Sequence, residues 1–407
     1  MQNSTVPGPA EPRPADARRL VARAVRLSSM RAKYAGWLAA SSPKWTDLPI
    51  LSKDELNRAL EEVLAVGPRE RGGSFLYASG GTMGEPRLSL IPGDMFVPDI
   101  LEHWRPLDPE DVLVNLFTPG RMWSAHYFYN GIAAASGAVA IPFGAVGDDE
   151  LGSWLDFFQA QGATAMAATP TTVKRLLTYA EQTGTALPWL RKLLWVGEKY
   201  DDLTATLVAR HLPDVELWGL YGSTETWVVG WNGPRCRTDT VHPLPYQHIE
   251  LQDGVVLVSN THPRCVNPLL RYRVGDLGEF TRCPCGRPDA ALRVAGRADS
   301  YFKFLNQLVS PEELVGLARE VDGVLDAQLG LVAPGTAAER LEVRVLAGPA
   351  AGPELLGRVR DRVLAGHLEL GYVVSDTPDA FGVRTVPELA SNARTAKTPL
   401  LVVDPVQ

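Results

Sequence analysis

The sequence predicts an α/β protein: a large N-terminal domain with mostly parallel sheets and a β-rich subdomain, plus a small C-terminal α+β domain. Three observations carry this reading. Between residues 110 and 230, short apolar runs alternate with helical periodicity, the pattern of strand–helix units around an open parallel sheet. Between 246 and 295 the texture changes to short β-runs and turns. Beyond Gly296-Arg297-Ala298-Asp299 come a helix, two strands and a helix, enough for a separate domain of about one hundred residues.

In chain order, residues 1–16 are rich in Pro and Ala and read as disordered. Residues 17–38 repeat apolar positions at helical spacing among arginines and read as an amphipathic surface helix; a transit peptide is the weaker reading of the same stretch. Ser52 with Glu55 three residues on is a capping box that opens the next helix. Residues 112–116 and 138–142 read as buried strands. Residues 122–147 hold no Lys, Arg, Asp or Glu, yet contain His126, Asn130, Pro142 and glycines, so they read as buried strands and turns rather than a membrane span. Helices follow over 151–161, 171–182 and 203–211, alternating with strands at 165–168, 193–196 and 215–218. The β-runs are 248–251, 255–259, 279–282 and 292–294. The last part has helices at 311–320 and 354–368 around strands at 327–332 and 339–346. The domains are therefore drawn at 17–297 and 298–407.

The chain has 407 residues, 45% hydrophobic and 21% charged, ordinary values for a cored globular protein. Its net charge of -7 argues against a dedicated nucleic-acid binder. Four cysteines, Cys236, Cys265, Cys283 and Cys285, are too few for a disulfide framework. No apolar signal core follows a basic start, so a reducing, cytoplasmic location is expected.

Five stretches carry chemistry. Ser79-Gly80-Gly81-Thr82-Met83-Gly84, followed by Arg87, places glycines and hydroxyls where backbone N–H groups can approach a phosphate. It lacks the Gly-Lys-Ser/Thr ending of a P-loop, and alone it is as readily a hairpin turn. The second is Trp218-Gly219-Leu220-Tyr221-Gly222-Ser223-Thr224-Glu225, closing a strand. The third is Arg271-Tyr272-Arg273-Val274-Gly275-Asp276. The fourth is Gly296-Arg297-Ala298-Asp299 with Lys303, and the fifth Arg394-Thr395-Ala396-Lys397.

Together, in this order and spacing, the five stretches resemble the adenylate-forming superfamily of acyl-CoA synthetases and adenylation domains, most closely its phenylacetate–CoA ligase branch. The resemblance runs from Thr46 to Lys397. It implies an enzyme, an AMP-forming acid–thiol ligase, that uses ATP and Mg²⁺ to turn a carboxylic acid into an acyl-adenylate and pyrophosphate. A thiol then usually displaces AMP. It also implies roles. Ser79, Gly80, Gly81, Thr82 and Gly84 match the phosphate loop, with Arg87 where the family usually has Lys. Tyr221 and Gly222 match the segment at adenine, as do Gly197 and Glu198. Thr224 is expected at the α-phosphate, and Glu225 at Mg²⁺. Asp276 is expected on the ribose hydroxyls, since a carboxylate accepts two hydrogen bonds. Arg297 faces AMP, Asp299 is the hinge, and Lys397 reaches the reacting carboxylate and α-phosphate.

Each residue has a plainer reading. Glu225 and Asp276 are equally surface acids, Tyr221 a core aromatic, Arg297 a solvated cation, Asp299 a turn cap and Lys397 a solvated tail lysine. Only the joint pattern favours the site. Cys283-Pro284-Cys285 resembles a Cys-rich turn of the phenylacetate branch, and with Cys236 and His242 it would make a closed structural Zn²⁺ site. Cys265 is an alternative ligand, and reduced buried thiols are the plain alternative.

Trp123, His126, Tyr127 and Trp218 are the expected acid pocket, which suggests a flat aromatic acid of benzoate, anthranilate or arylacetate type; core packing is the plain reading of the same aromatics. CoA is the family's usual acceptor. Asn306, where the family often has Gly, weakens that expectation, and a separate carrier protein or an amine is equally compatible. A homodimer stays open. The rival class is a catalytically weak nucleotide-binding pseudoenzyme, supported only by Arg87 and Met83. A Rossmann oxidoreductase is disfavoured, because no G-x-G-x-x-G follows an early strand.

Overall fold

The computed structural model describes residues 6–65, 73–78, 88–147, 149–297, 302–305, 307–334, 336, 338–349, 351–392, 395 and 397–404. The chain divides into two compact units, Met1–Gly296 with Arg394–Ala396, and Arg297–Ala393 with Lys397–Gln407.

The first unit opens with α1 (Pro14–Ala24) and α2 (Ser28–Ala39). Helix α1 begins inside the stretch that composition marks as disordered, because Pro14 suits the first helical position. Its buried Ala17, Leu20, Val21 and Ala24 follow helical spacing. The single helix expected over 17–38 is broken at Val25–Leu27. The reason lies in α3 (Lys53–Ala65). Its Glu62 accepts from the N–H groups of Ser28 at 2.5 Å and Ser29 at 3.0 Å, giving α2 its own capped start. The expected capping box forms at α3: Ser52 N–H donates to Glu55 at 2.8 Å, and Glu55 N–H donates to Ser52 Oγ at 3.4 Å.

The hairpin strands β1 (Ser74–Ala78) and β2 (Leu88–Pro92) flank residues 79–87. After α4 (Val97–Leu101) come β3 (Val112–Asn115), α5 (Ala125–Ser136), β4 (Val139–Ile141), α6 (Leu151–Ala160) and β5 (Ala165–Ala167). Next are α7 (Pro170–Thr183), β6 (Lys192–Val196), α8 (Asp202–His211) and β7 (Glu216–Ser223). Helix α5 corrects the reading of 122–147 as strands and turns. Ala-rich sequence favours helix, Gly137 (φ 76°) ends it, and its exposed positions, Tyr127, Ala134 and Ala135, are not charged, so no polar stripe reveals the period.

The remaining strands are β8 (Trp227–Asn232), β9 (Thr240–Pro243), β10 (Gln247–Gln252), β11 (Val255–Asn260), β12 (Tyr272–Thr281) and β13 (Ala291–Arg297). Among the described residues they join β3 to β7 in one eleven-stranded sheet, in the order β10-β11-β12-β13-β9-β8-β7-β6-β5-β3-β4. Strands β3 to β7 are parallel, as the alternation predicts, and β8 turns back antiparallel to β7. In open sheets of this kind, ligand sites form beyond the carboxyl ends of the parallel strands.

The second unit contains β14 (Phe302–Phe304), β15 (Gln307–Val309), α9 (Pro311–Arg319), β16 (Val324–Val332), β17 (Arg340–Ala347), α10 (Leu355–Gly366), α11 (Leu368–Asp376), β18 (Phe381–Thr385) and β19 (Leu401–Asp404). Ser310 caps α9 through Glu313 N–H. The sheet order is β18-β17-β16-β19, so the two expected strands gain two parallel edge partners. The helix expected over 354–368 stops at Gly366. His367 Nδ1 then accepts from Leu370 N–H at 3.2 Å and starts α11. No helix among the described residues is long and apolar enough to cross a membrane.

Candidate active site

The first unit's site is built on the β7–β8 turn. Ser223 N–H donates to Thr226 Oγ1 at 3.0 Å, and Thr226 N–H donates to Ser223 Oγ at 3.3 Å. Gln247 Nε2 donates to the carbonyls of Thr226 at 3.1 Å and Val228 at 2.8 Å. Gly222 is required here, since a Cβ would lie 2.0 Å from the Trp227 carbonyl oxygen. The locked turn leaves Thr224 half-buried and Glu225 almost fully enclosed.

Strand β12 meets this turn through two phenols. Tyr221 OH donates to Asp276 Oδ2 at 2.5 Å, and Tyr272 OH donates to Glu225 Oε1 at 3.0 Å. Two motifs about fifty residues apart in sequence are thereby joined, and Asp276 stays half-buried. Gly197 (φ 91°) and Glu198 leave the end of β6, which is paired in parallel with β7 up to Val196 and Leu220. The Glu198 carboxylate accepts from Thr171 N–H at 3.0 Å, in the first turn of α7, where negative charge suits the helix dipole.

The four expected pocket residues take different positions. Trp123 is buried, edge-on to Phe117 at 5.5 Å. His126 is buried, with Nδ1 2.6 Å from the Phe117 carbonyl. Because a carbonyl only accepts, Nδ1 carries a proton. Tyr127 is exposed. Trp218 is half-buried, and its Nε1 donates to Glu216 at 3.0 Å. Ring contacts run from Trp123 through Phe117, Tyr129 and Trp104 to Trp218. Sequence reasoning missed Tyr77, which stacks on Trp227 at 5.9 Å; burial pushes its phenol up to about 12.

A second cluster joins the β8–β9 connection to the turn after β12. The ligand atoms of Cys236, His242, Cys283 and Cys285 all lie within 4.8 Å of one another. His242 Nε2 is 3.2 Å from Cys285 Sγ. Burial, with the neighbouring thiol of Cys283, pushes Cys236 up to about 12. Burial, then the charge of Arg287, lowers His242. Cys265, the alternative ligand, is not in the cluster; its thiol donates to the Asn267 carbonyl at 3.6 Å.

Ser79, Gly80, Gly81, Thr82, Gly84 and Arg87 lie outside the described residues, as do the hinge residue Asp299 and Asn306. Arg297 is exposed at the end of β13. In the second unit, Lys397 is half-buried ahead of β19, and its carbonyl accepts from Asn392 N–H at 2.7 Å. Asn267, Tyr272, Thr226 and Gln247 hold the site together but had no role in the sequence reading. The only local signal was Asn267-Pro268, a turn dipeptide.

The AMP-binding enzyme family matches residues 40–275. Indoleacetate–lysine synthetase of Pseudomonas savastanoi is 22% identical over 274 residues, 65% of this chain and 67% of its own. The fold is similar to that of 2-hydroxyisobutyryl-CoA ligase in the postadenylation state, with a TM-score of 0.72 and 16% identity over 96% of this chain and 88% of that one. It is also similar to an anthranilate CoA ligase bound to anthranoyl-AMP, with a TM-score of 0.56 and 17% identity over 79% of this chain and 64% of that one. At these identities the structural likenesses speak for the fold. Placement in the phenylacetate–CoA ligase branch rests on the motif resemblance alone.

Proposed function

Because the chain belongs to the AMP-binding enzyme family, we propose that it joins a carboxylic acid to ATP as an acyl-adenylate and then passes the acyl group to a thiol, CoA in the first instance. A carboxylate oxygen attacks the α-phosphorus, the bond to the bridging oxygen breaks, and pyrophosphate leaves. The thiolate then attacks the acyl carbon, and AMP leaves. The observation that carries this reading is the joining of Tyr221 to Asp276 and of Tyr272 to Glu225, which gathers two widely separated motifs at one strand end.

Asp276 takes the ribose hydroxyls, with Tyr221 fixing one of its oxygens, and Thr224 meets the α-phosphate. Gly197 and Glu198 line the adenine. The loop Ser79–Gly84 with Arg87 takes the outer phosphates. Arg297 faces AMP, and Lys397 supplies positive charge to the adenylation step. Glu225 would hold Mg²⁺, because one buried carboxylate beside substrate phosphates is a donor set that this ion accepts. When bound, the ion offsets phosphate charge.

The acid is aromatic. The ring chain from Trp123 to Trp218 supports this, as do relatives named for indoleacetate and anthranilate. An amine acceptor is the second reading, favoured by the relative named for indoleacetate and lysine. Cys236, His242, Cys283 and Cys285 would hold a structural Zn²⁺, since three thiolates and an imidazole suit that ion. ATP–pyrophosphate exchange tests the central reading. Exchange that requires one aromatic acid and Mg²⁺ supports it; tight ATP binding without exchange for any acid favours the pseudoenzyme.

A further inference from the structure

Residues 267–272 grip Glu225 at both ends. Asn267 Nδ2 donates to the Glu225 backbone carbonyl at 3.2 Å, and Tyr272 OH donates to its Oε1 at 3.0 Å. The same Asn267 amide donates to Ser89 Oγ at 2.8 Å, and its Oδ1 accepts from Leu90 N–H at 3.3 Å. Ser89 and Leu90 belong to β2, the strand that follows residues 79–87. All four side chains that make these contacts are enclosed: Ser89, Asn267 and Tyr272 are each 1% exposed and Glu225 is 2% exposed.

One asparagine therefore ties the strand after the glycine-rich loop to the main chain at Glu225, and one tyrosine orients that residue's carboxylate. We propose that Asn267 and Tyr272 are positioning residues that preorganise Glu225 and the β2 strand for the metal–nucleotide complex. The inference rests on the reading of Glu225 as the Mg²⁺ ligand. Buried amides and phenols are costly to leave unpaired, so both partners are committed to this geometry before any ligand arrives. A carboxylate already held by a donor loses less freedom when it takes a metal, which is the ordinary effect of partners behind a ligand.

The two side chains make separable demands. Asn267→Asp keeps an acceptor for Leu90 N–H and lets Ser89 turn its hydroxyl to donate, but it has no donor for the Glu225 carbonyl. Tyr272→Phe removes only the hydroxyl at Oε1. Ser89→Ala removes the side-chain half of the β2 link, keeps Leu90 N–H on Asn267 Oδ1, and leaves the Glu225 contacts in place.

The test is Mn²⁺ binding, read by electron paramagnetic resonance on the full chain with α,β-methylene-ATP, beside affinity for the same nucleotide in EDTA. Tyr272→Phe and Asn267→Asp are expected to weaken Mn²⁺ binding about tenfold or more, the usual effect of removing such a partner. Metal-free nucleotide affinity should stay at the wild-type value. Wild-type Mn²⁺ binding in both variants would overturn the proposal, and so would an equal loss of metal-dependent and metal-free binding. Glu225→Gln is the control on the underlying reading. If it binds Mn²⁺ as wild type does, the assignment of Glu225 to the metal fails, and the positioning role fails with it. If Glu225→Gln alone loses the metal, only the positioning role falls.

Discussion

Tyr221 OH lies 2.5 Å from Asp276 Oδ2, so each fixes the other. Asp276→Asn is expected to raise the KM for ATP about tenfold with a smaller change in the KM for the acid, because a hydrogen bond to a charged group is worth about 1.5–3 kcal/mol. Steady-state kinetics with each substrate varied in turn checks this; equal changes in both KM values would count against a ribose role. His248 makes a different prediction. Burial holds its imidazole down at about 4, with Glu11 opposing and Arg271 assisting. An unfolded histidine titrates near 6.5, so the unfolded chain binds the extra proton between those values. Stability from the neutral ring is complete above about pH 6.5 and falls as pH drops towards 4, by at most about 1.4 kcal/mol per pH unit. Denaturation midpoints followed across that window should lose part of their slope in His248→Asn. At this scale the sequence was partly legible. The motif residues Tyr221, Glu225 and Asp276 stand out, whereas Asn267 and Tyr272 act through partners that no local pattern indicates.

Elements were legible where their signals are local. The Ser52–Glu55 box and the parallel run β3 to β7 follow from short-range pattern. The break between α1 and α2 does not, because the group that caps α2 is Glu62, thirty-three residues beyond Ser29. Helix α5 was hidden for another reason: its exposed positions are Tyr127, Ala134 and Ala135, so it shows no charged stripe. The N–H groups of Ser29 and Ser28 hold the Glu62 carboxylate down at about 2. Its folded value lies below the unfolded one near 4.3, so the cap's contribution is present above about pH 4.3 and is lost as pH falls towards 2. Glu62→Ala should cost about 1 kcal/mol at neutral pH and leave little difference at pH 2, checked by urea denaturation at both values. The cysteine cluster is also an element-scale device, pinning the β8–β9 connection to the turn after β12. Zinc analysis of the purified chain should find about one ion, and Cys283→Ser should lose it and lower the thermal midpoint. A metal-free wild type of unchanged stability would leave reduced thiols as the reading.

At the scale of the molecule, two units differ in build: one on a long mixed sheet, the other on a four-stranded sheet with helices. The division into a large α/β part and a small α+β part was legible because periodicity changes along the chain. The edge strands β18 and β19 were not, being short and dependent on β17 and β16 for their pairing. The most direct measurement is pyrophosphate release with ATP, Mg²⁺ and a panel of aryl, arylacetic and amino acids, comparing wild type with Lys397→Ala. Release is expected to depend on an aromatic acid and to fall about a hundredfold or more in the variant, the scale of losing a preorganised charge at the transition state. Release that is absent with every acid, or that is unchanged in Lys397→Ala, would contradict this expectation.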